Sequence, residues 1–253
     1  GDRVLVTNLT PPGIEPHEFE PSPRDIQVLN NADLFMYNGG IEPWVSKWIT
    51  GEPRDLTKVV SITDILKVKN VELITHDGVV DPHIWLDPSI MKRETEIVRD
   101  HLILADPASR AVYEENAVKL IATLEALDMN YRQSLSKCEN HNMVVSHDAF
   151  SYLARAYGLS VISIAGISPD EEPSTKTLAA ISDLARERNI KYIFFEAIAN
   201  PKLSATIARE VGAETLVLNT LESLTDSELI EGKDYILVME QNLNNLRKAF
   251  ICQ

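Results

Sequence analysis

The sequence predicts an α/β protein of two lobes, each a parallel sheet flanked by helices, joined by one long backbone helix. Three observations carry that prediction. Short apolar runs alternate with helical patterns in the first part of the chain, the same alternation returns in the last part, and between them lies a long periodic stretch without Gly or Pro. Strands alternating with helices indicate parallel α/β layering, and a helix longer than most can tie two such lobes together.

The first lobe is expected at residues 1–107. Its pattern runs from "VLVTNL", read as a strand, through the helical "SPRDIQVLNNA" to "DLFMYNG", "EPWVSKWIT" and "KVVSIT". From Pro88, "SIMKRETEIVRDHLILA" reads as an amphipathic helix that stops at Asp106, because Pro107 disfavours helix in the residue before it. The linking helix is expected over 108–136, where "ASRAVYEENAVKLIATLEALDMNYRQSL" keeps apolar residues at helical spacing. At about 1.5 Å per residue it would run about 40 Å. The second lobe, 137–253, has strand patterns in "NMVVSH", "LSVISIAG", "IKYIFFEA" and "AETLVLN". Helices are read in "DAFSYLARAYG", "PSTKTLAAISDLARERN", "NPKLSATIAREVG" and finally through "DYILVMEQNLNNLRKAF". Ligands are expected where strands run into loops at the lobe interface.

Composition narrows the function classes. The 253 residues are 44% hydrophobic, enough to build a real core. A net charge of -14 argues against a phosphate-tracking surface and hence against a nucleic-acid partner; cations or neutral ligands fit better. No apolar run approaches membrane-spanning length, and "GDRVLVTNLT" lacks the basic and apolar regions of a signal peptide. Cys138 and Cys252 are far apart with no CxxC spacing, which excludes a thiolate metal site. A long-range disulfide in an oxidising compartment and two separate buried thiols both remain open.

Of six histidines, three share one structural address. His17 lies in the proline-dense loop "PPGIEPHEFEPSP", His83 in "DPHIWLDP" and His147 in "VVSHDAF", each at a strand-to-helix mouth. A lone loop histidine is more often a hydrogen-bonding surface residue than a ligand, but three at equivalent places point to one cation. His76, His101 and His141 read as solvated. Imidazole suits borderline ions such as Zn²⁺, whereas added carboxylates shift a site towards harder ions such as Mn²⁺. Asp81, Asp87, Glu18 and Asp148 are near enough in sequence to orient the rings. Asp148 can instead cap the helix after His147, and Asp87 before Pro88 reads first as a helix cap.

Five ordered motifs, "PPGIEPHEFEPSPRDIQVLNNADLFMYNG", "DPHIWLDP", "VVSHDAFSYLARAYGL", "GISPDEEPS" and "IFFEAIANPKLSATIAREVGAETL", span nearly the whole chain. Together they resemble the zinc- or manganese-binding solute-binding proteins of ABC importers, of the cluster A-I type. The resemblance implies two α/β lobes on a rigid backbone helix, a metal buried in the cleft and a membrane permease subunit as partner. It places ligands at His17 and His83. The third ligand is histidine in zinc-type members and often glutamate in manganese-type ones; His147 therefore favours zinc. The fourth is commonly an aspartate in a loop written roughly Leu-Asp-Pro-Leu, but here "VLNTLES" puts Asn219 at that place. Either Asn219 or a water completes the site, or Glu222 or Glu196 supplies the missing charge, with Asn219 placed first and Glu222 behind it. Members also have a strand and a helix before the segment that opens here, and an acidic, histidine-rich loop of which only His76 is present.

The function expected is extracytoplasmic capture of Zn²⁺, with Mn²⁺ as the alternative, and delivery to an ABC permease. The protein is expected to act as a monomer, not as an enzyme, in the periplasm or as a lipoprotein on the extracellular face of the membrane. A zinc hydrolase is the rival: three histidines with an open fourth position can activate water, and Glu196 or Asp148 would serve as base. No HExxH supports it. A surface adhesion role, known for some relatives, has no aromatic patch or basic stripe behind it.

Overall fold

The computed structural model describes residues 3–51, 55–76, 78–169, 173–196, 198 and 202–252. The chain divides into two compact units, Gly1–Glu125 and Ala126–Gln253.

The first unit departs from expectation at its start. "VLVTNL" forms no strand: Leu5 and Val6 are 95% and 83% exposed. An apolar run becomes a strand only when a neighbour supplies ladder partners and a buried face, and this run has no ladder among the described residues. Helix α1 (Pro23–Asn30) starts where expected because Ser22 and Asp25 form a reciprocal capping box and Pro23 occupies the first turn. Strands β1 (Phe35–Tyr37) and β2 (Val59–Ser61) pair in parallel, Phe35 opposite Val59. Between them runs α2 (Pro43–Gly51), and α3 (Ile62–Val68) follows β2 directly, its first turn capped by the Ser61 hydroxyl. At the end of β1, Gly39 has φ +91° and a Cβ there would meet the Ser61 hydroxyl at 3.0 Å, so only glycine fits the turn.

A hairpin of β3 (Thr75–His76) and β4 (Val79–Val80) was not legible in the sequence, because two-residue strands carry no periodicity. Helix α4 (Pro88–Ala105) begins at Asp87, whose carboxylate accepts the Ser89 N–H at 2.8 Å, and it ends at Asp106 as the proline rule requires. Leu66, Ile84, Leu86 and Ile97 are fully buried in this unit.

Glu94 lies on α4 and is half-buried. Its Oε1 is buried without a hydrogen-bond partner among the described residues, and burial pushes the carboxyl up from 4.5 to about 8. The folded state therefore keeps a proton that the unfolded chain releases. The stabilisation is complete below about pH 4.5 and is lost as pH rises through about 8. Melting temperature plotted against pH is expected to fall across this window in the metal-free protein, and to fall less steeply in Glu94→Gln.

Helix α5 (Arg110–Leu135) is 26 residues long, or about 40 Å at the α-helical rise, and the boundary between the units falls within it. The second unit is built on four parallel strands: β5 (Asn142–Val145), β6 (Ser160–Ser163), β7 (Tyr192–Phe195) and β8 (Glu214–Val217), in the order β6-β5-β7-β8. The connections are α6 (Ser151–Tyr157), α7 (Thr175–Glu187) and α8 (Lys202–Val211). Val144 and Ile193 of the sheet pack with Ile181 and Ala185 of α7 and Ile207 and Ala208 of α8. Central parallel strands are covered on both faces, which is why "MVV" and "IFF" read as continuous apolar runs. The expected starts of α8 at Asn200 and Pro201, and Asp170 to Glu172 of the "GISPDEEPS" motif, lie outside the described residues.

A short α9 (Asp226–Ile230), held by a capping box between Thr225 and Glu228, precedes the last helix, α10 (Tyr235–Phe250). Tyr131 on α5 donates its hydroxyl to the Met239 carbonyl of α10 at 2.6 Å. Cys138, just past α5, and Cys252, just past α10, form a disulfide that closes a separation of 114 residues. Among the described residues no helix is long and apolar enough to cross a membrane.

Candidate metal centre

Local chemistry in the first unit holds two imidazoles together. The His17 loop is pinned by Phe19, which is buried edge-on against Trp44 with ring centroids 6.4 Å apart. The backbone N–H of His17 donates to Glu15 at 3.1 Å. His83 follows the β3–β4 hairpin and is wholly buried. Asn38, at the end of β1, donates its amide to the Pro82 carbonyl at 2.7 Å and so ties the "DPH" segment to the parallel strand pair. Asp81 turns back on His83: its Oδ1 accepts the His83 backbone N–H at 3.0 Å and lies 2.8 Å from Nδ1. With Nδ1–H donated to Asp81, His83 presents a bare Nε2. That atom lies 3.4 Å from Nε2 of His17. Two lone pairs face each other so closely only with a proton or a cation to share.

Other residues of this unit bear on the pair. Trp85 lies beside His83, ring centroids 5.5 Å apart. Glu42 accepts the N–H groups of Asn38 and Gly39 at 2.9 and 3.0 Å. Burial raises the Glu42 carboxyl above its usual value, opposed by those N–H groups and by the nearby His17. His76, expected to be solvated, lies on β3 with Nε2 turned inward, 3.5 Å from Asp81 Oδ2. His101 instead bonds back along its own helix to the Ile97 carbonyl at 2.8 Å.

The second unit arranges its donors at the carboxyl ends of neighbouring strands, the usual ligand edge of a parallel sheet. Val144 on β5 pairs with Ile193 on β7, and the same register carried past the strand ends sets His147 opposite Glu196. Nδ1 of His147 lies 2.6 Å from Glu196 Oε1, which also accepts the Ser146 hydroxyl. On the other side of the ring, Nε2 is 3.5 Å from Glu222 Oε1, and both side chains are fully buried. Burial disfavours the charged ring, but hydrogen bonds and charge from Glu196 and Glu222 outweigh it and push His147 up to about 10. Asp148, just before α6, accepts the Ser151 hydroxyl at 2.9 Å.

Asn219 follows β8 and is occupied at both ends of its amide. Oδ1 accepts the Leu221 N–H at 2.7 Å, and Nδ2 donates to Glu228 at 3.1 Å. Its backbone exchanges hydrogen bonds with the Asn242 side chain at 2.9 and 2.7 Å. Leu221 takes φ +60°, a left-handed turn, just before Glu222, whose Oε2 accepts the Thr220 hydroxyl at 2.8 Å. Asp81 and Glu196 thus each hold Nδ1 of a buried imidazole. Asn38 was missed by sequence reasoning, and its only signal was an amide directly after a strand.

Comparison with known proteins agrees with this geometry. Residues 1–249 match the family described as the zinc-uptake complex component A, periplasmic. The high-affinity zinc uptake system protein ZnuA of Bacillus subtilis is 36% identical over 265 residues, covering 99% of this chain and 82% of that protein. The zinc-binding lipoprotein AdcA of Streptococcus pneumoniae is 38% identical across 98% of the chain, which spans only 52% of AdcA. The crystal structure of the Zn(II)-bound ZnuA-like domain of that AdcA superposes with a TM-score of 0.84 at 37% identity, covering 99% of this chain and 92% of that one. On a match that runs almost from end to end, and with imidazoles backed by carboxylates in both units, the chain belongs to the family of the periplasmic zinc-uptake component A.

Proposed function

We propose that this protein captures Zn²⁺ outside the cytoplasm and hands it to an ABC permease, acting as a monomeric carrier and not as a catalyst. In this reading His17, His83, His147 and Glu222 bind one ion together. The observation that carries it is the shared design of the two buried rings: each gives Nδ1 to a carboxylate, Asp81 or Glu196, which directs Nε2 to the ion. Three imidazoles and one carboxylate suit tetrahedral zinc better than manganese. The Cys138–Cys252 disulfide supports an oxidising, extracytoplasmic setting.

Glu222, and not Asn219, is the fourth ligand in this proposal, because the Asn219 amide is already spent on the turn that presents Glu222. A carboxylate in the fourth position also removes the open site that a zinc hydrolase needs. Chelator competition on the metal-free protein tests the assignment. The unaltered chain is expected to bind zinc more tightly than micromolar, and Glu222→Gln to bind about 100-fold more weakly, as loss of one of four ligands implies. Asn219→Ala should lower the melting temperature while changing zinc affinity far less. Wild-type affinity in Glu222→Gln sinks the assignment.

A further inference from the structure

The hairpin joins a partly exposed histidine to the buried His83 through one carboxylate. His76 and Val79 are cross-strand partners, and the Asp81 N–H continues the ladder to the Ile74 carbonyl at 2.9 Å, so the Asp81 backbone is fixed beside β3. Asp81 is fully buried and stands between two imidazoles. Oδ1 serves His83 at 2.8 Å from Nδ1, while Oδ2 faces His76 Nε2 at 3.5 Å, an ion-pair distance longer than a hydrogen bond. The His76 side chain is 35% exposed, yet its Nε2 and Asp81 Oδ2 are both sealed from water. An aspartate carboxyl turns through a broad torsional well, so an acceptor held at one oxygen alone is poorly aimed. A contact on the second oxygen removes that freedom.

We propose that His76 is a positioning residue for zinc capture: through Oδ2 of Asp81 it fixes the carboxylate plane that aims His83 at the ion. The inference rests on the reading of His83 as a zinc ligand. It assigns a task to a histidine outside the ligand set, and it makes the exposed hairpin part of the site's support. A ligand's carboxylate partner typically matters by about 10- to 100-fold in metal affinity, and a residue acting through that partner falls at the lower end.

The test compares His76→Leu with His76→Gln in the full chain; the two side chains are of similar size, but only glutamine has an N–H to offer Asp81. Zinc affinity is read by chelator competition. The His83 Nδ1–H is followed by NMR in zinc-loaded protein carrying ¹⁵N-histidine. The expected result is about tenfold weaker binding and faster solvent exchange of that proton in the leucine variant, with glutamine within about twofold of the unaltered chain on both readings. Equal affinity and equal exchange in the leucine variant overturn the inference and leave the zinc site standing. So does equal loss in both variants, which would show a role for the ring and not for its donor. Absence of zinc binding by the unaltered chain overturns the site itself.

Discussion

Replacing His147 with alanine is expected to weaken zinc binding by about 100-fold or more. Structural zinc sites are held by about 10–16 kcal/mol, so one ligand in four accounts for about 3 kcal/mol, and each 1.4 kcal/mol is about tenfold in affinity. The same substitution changes the proton traffic. In the metal-free protein Glu196 and Glu222 keep His147 charged up to about 10, so zinc must displace a proton from Nε2 at neutral pH. Affinity therefore falls as pH falls below about 10, and about one proton should leave His147 for each ion bound at pH 8. Titration calorimetry in two buffers of different ionisation enthalpy measures that release directly. The alanine variant should show weaker binding and about one proton fewer. An unchanged affinity, or an unchanged proton count, would remove His147 from the ligand set.

Reducing the disulfide, or replacing both cysteines with serine, is expected to lower stability by about 4–5 kcal/mol. The bridge spans 114 residues, nearly the whole second unit, and loop-closure entropy for about 100 residues is worth about 4.7 kcal/mol. It joins the chain just past α5 to the chain just past α10, where the Glu139 and Asn140 N–H groups also bond to the Phe250 carbonyl at 3.1 and 3.3 Å. Those two helices further share the Tyr131–Met239 hydrogen bond. For a protein of this size the loss corresponds to about 10–20 °C in melting temperature. Calorimetry of the metal-free protein with and without reductant decides the point; a shift of under a few degrees would show that α5 and α10 hold each other without the bridge.

Much of the fold was legible because its signals are local. Ser22-Pro23 and Asp87-Pro88 mark helix starts by capping chemistry, and the "DP" at Asp106 marks a stop by steric conflict. The continuous apolar runs of β5 and β7 announced buried parallel strands. "VLVTNL" misled for the opposite reason: its apolar run fits a strand, but a strand exists only through partners that local sequence does not name. The β3–β4 hairpin was silent because it is too short to show alternation. Position relative to strand ends singled out His17, His83 and His147 as candidate ligands, with Asp81 beside His83 as an orienting acid. The resemblance placed Asn219 ahead of Glu222 as the fourth position, because the two are only three residues apart in one loop and nothing local says which side chain the turn uses up.

What the sequence by itself determined is therefore the alternation of strands and helices, the long α5, and a set of histidines at loop mouths, all properties of spacing and of neighbours along the chain. Only the tertiary structure decided how those groups are used. Glu196 reaches His147 across 49 positions because β5 and β7 are adjacent in the sheet. Asn242 engages the Asn219 backbone from α10, and the left-handed turn at Leu221 leaves Glu222 facing Nε2 of His147. His76 turns inward to Asp81 because a two-residue ladder folds the chain back on itself. The physical reason is the same in each case: a hydrogen bond is specified by the position of two groups in space, and sheet order and turn geometry set that position.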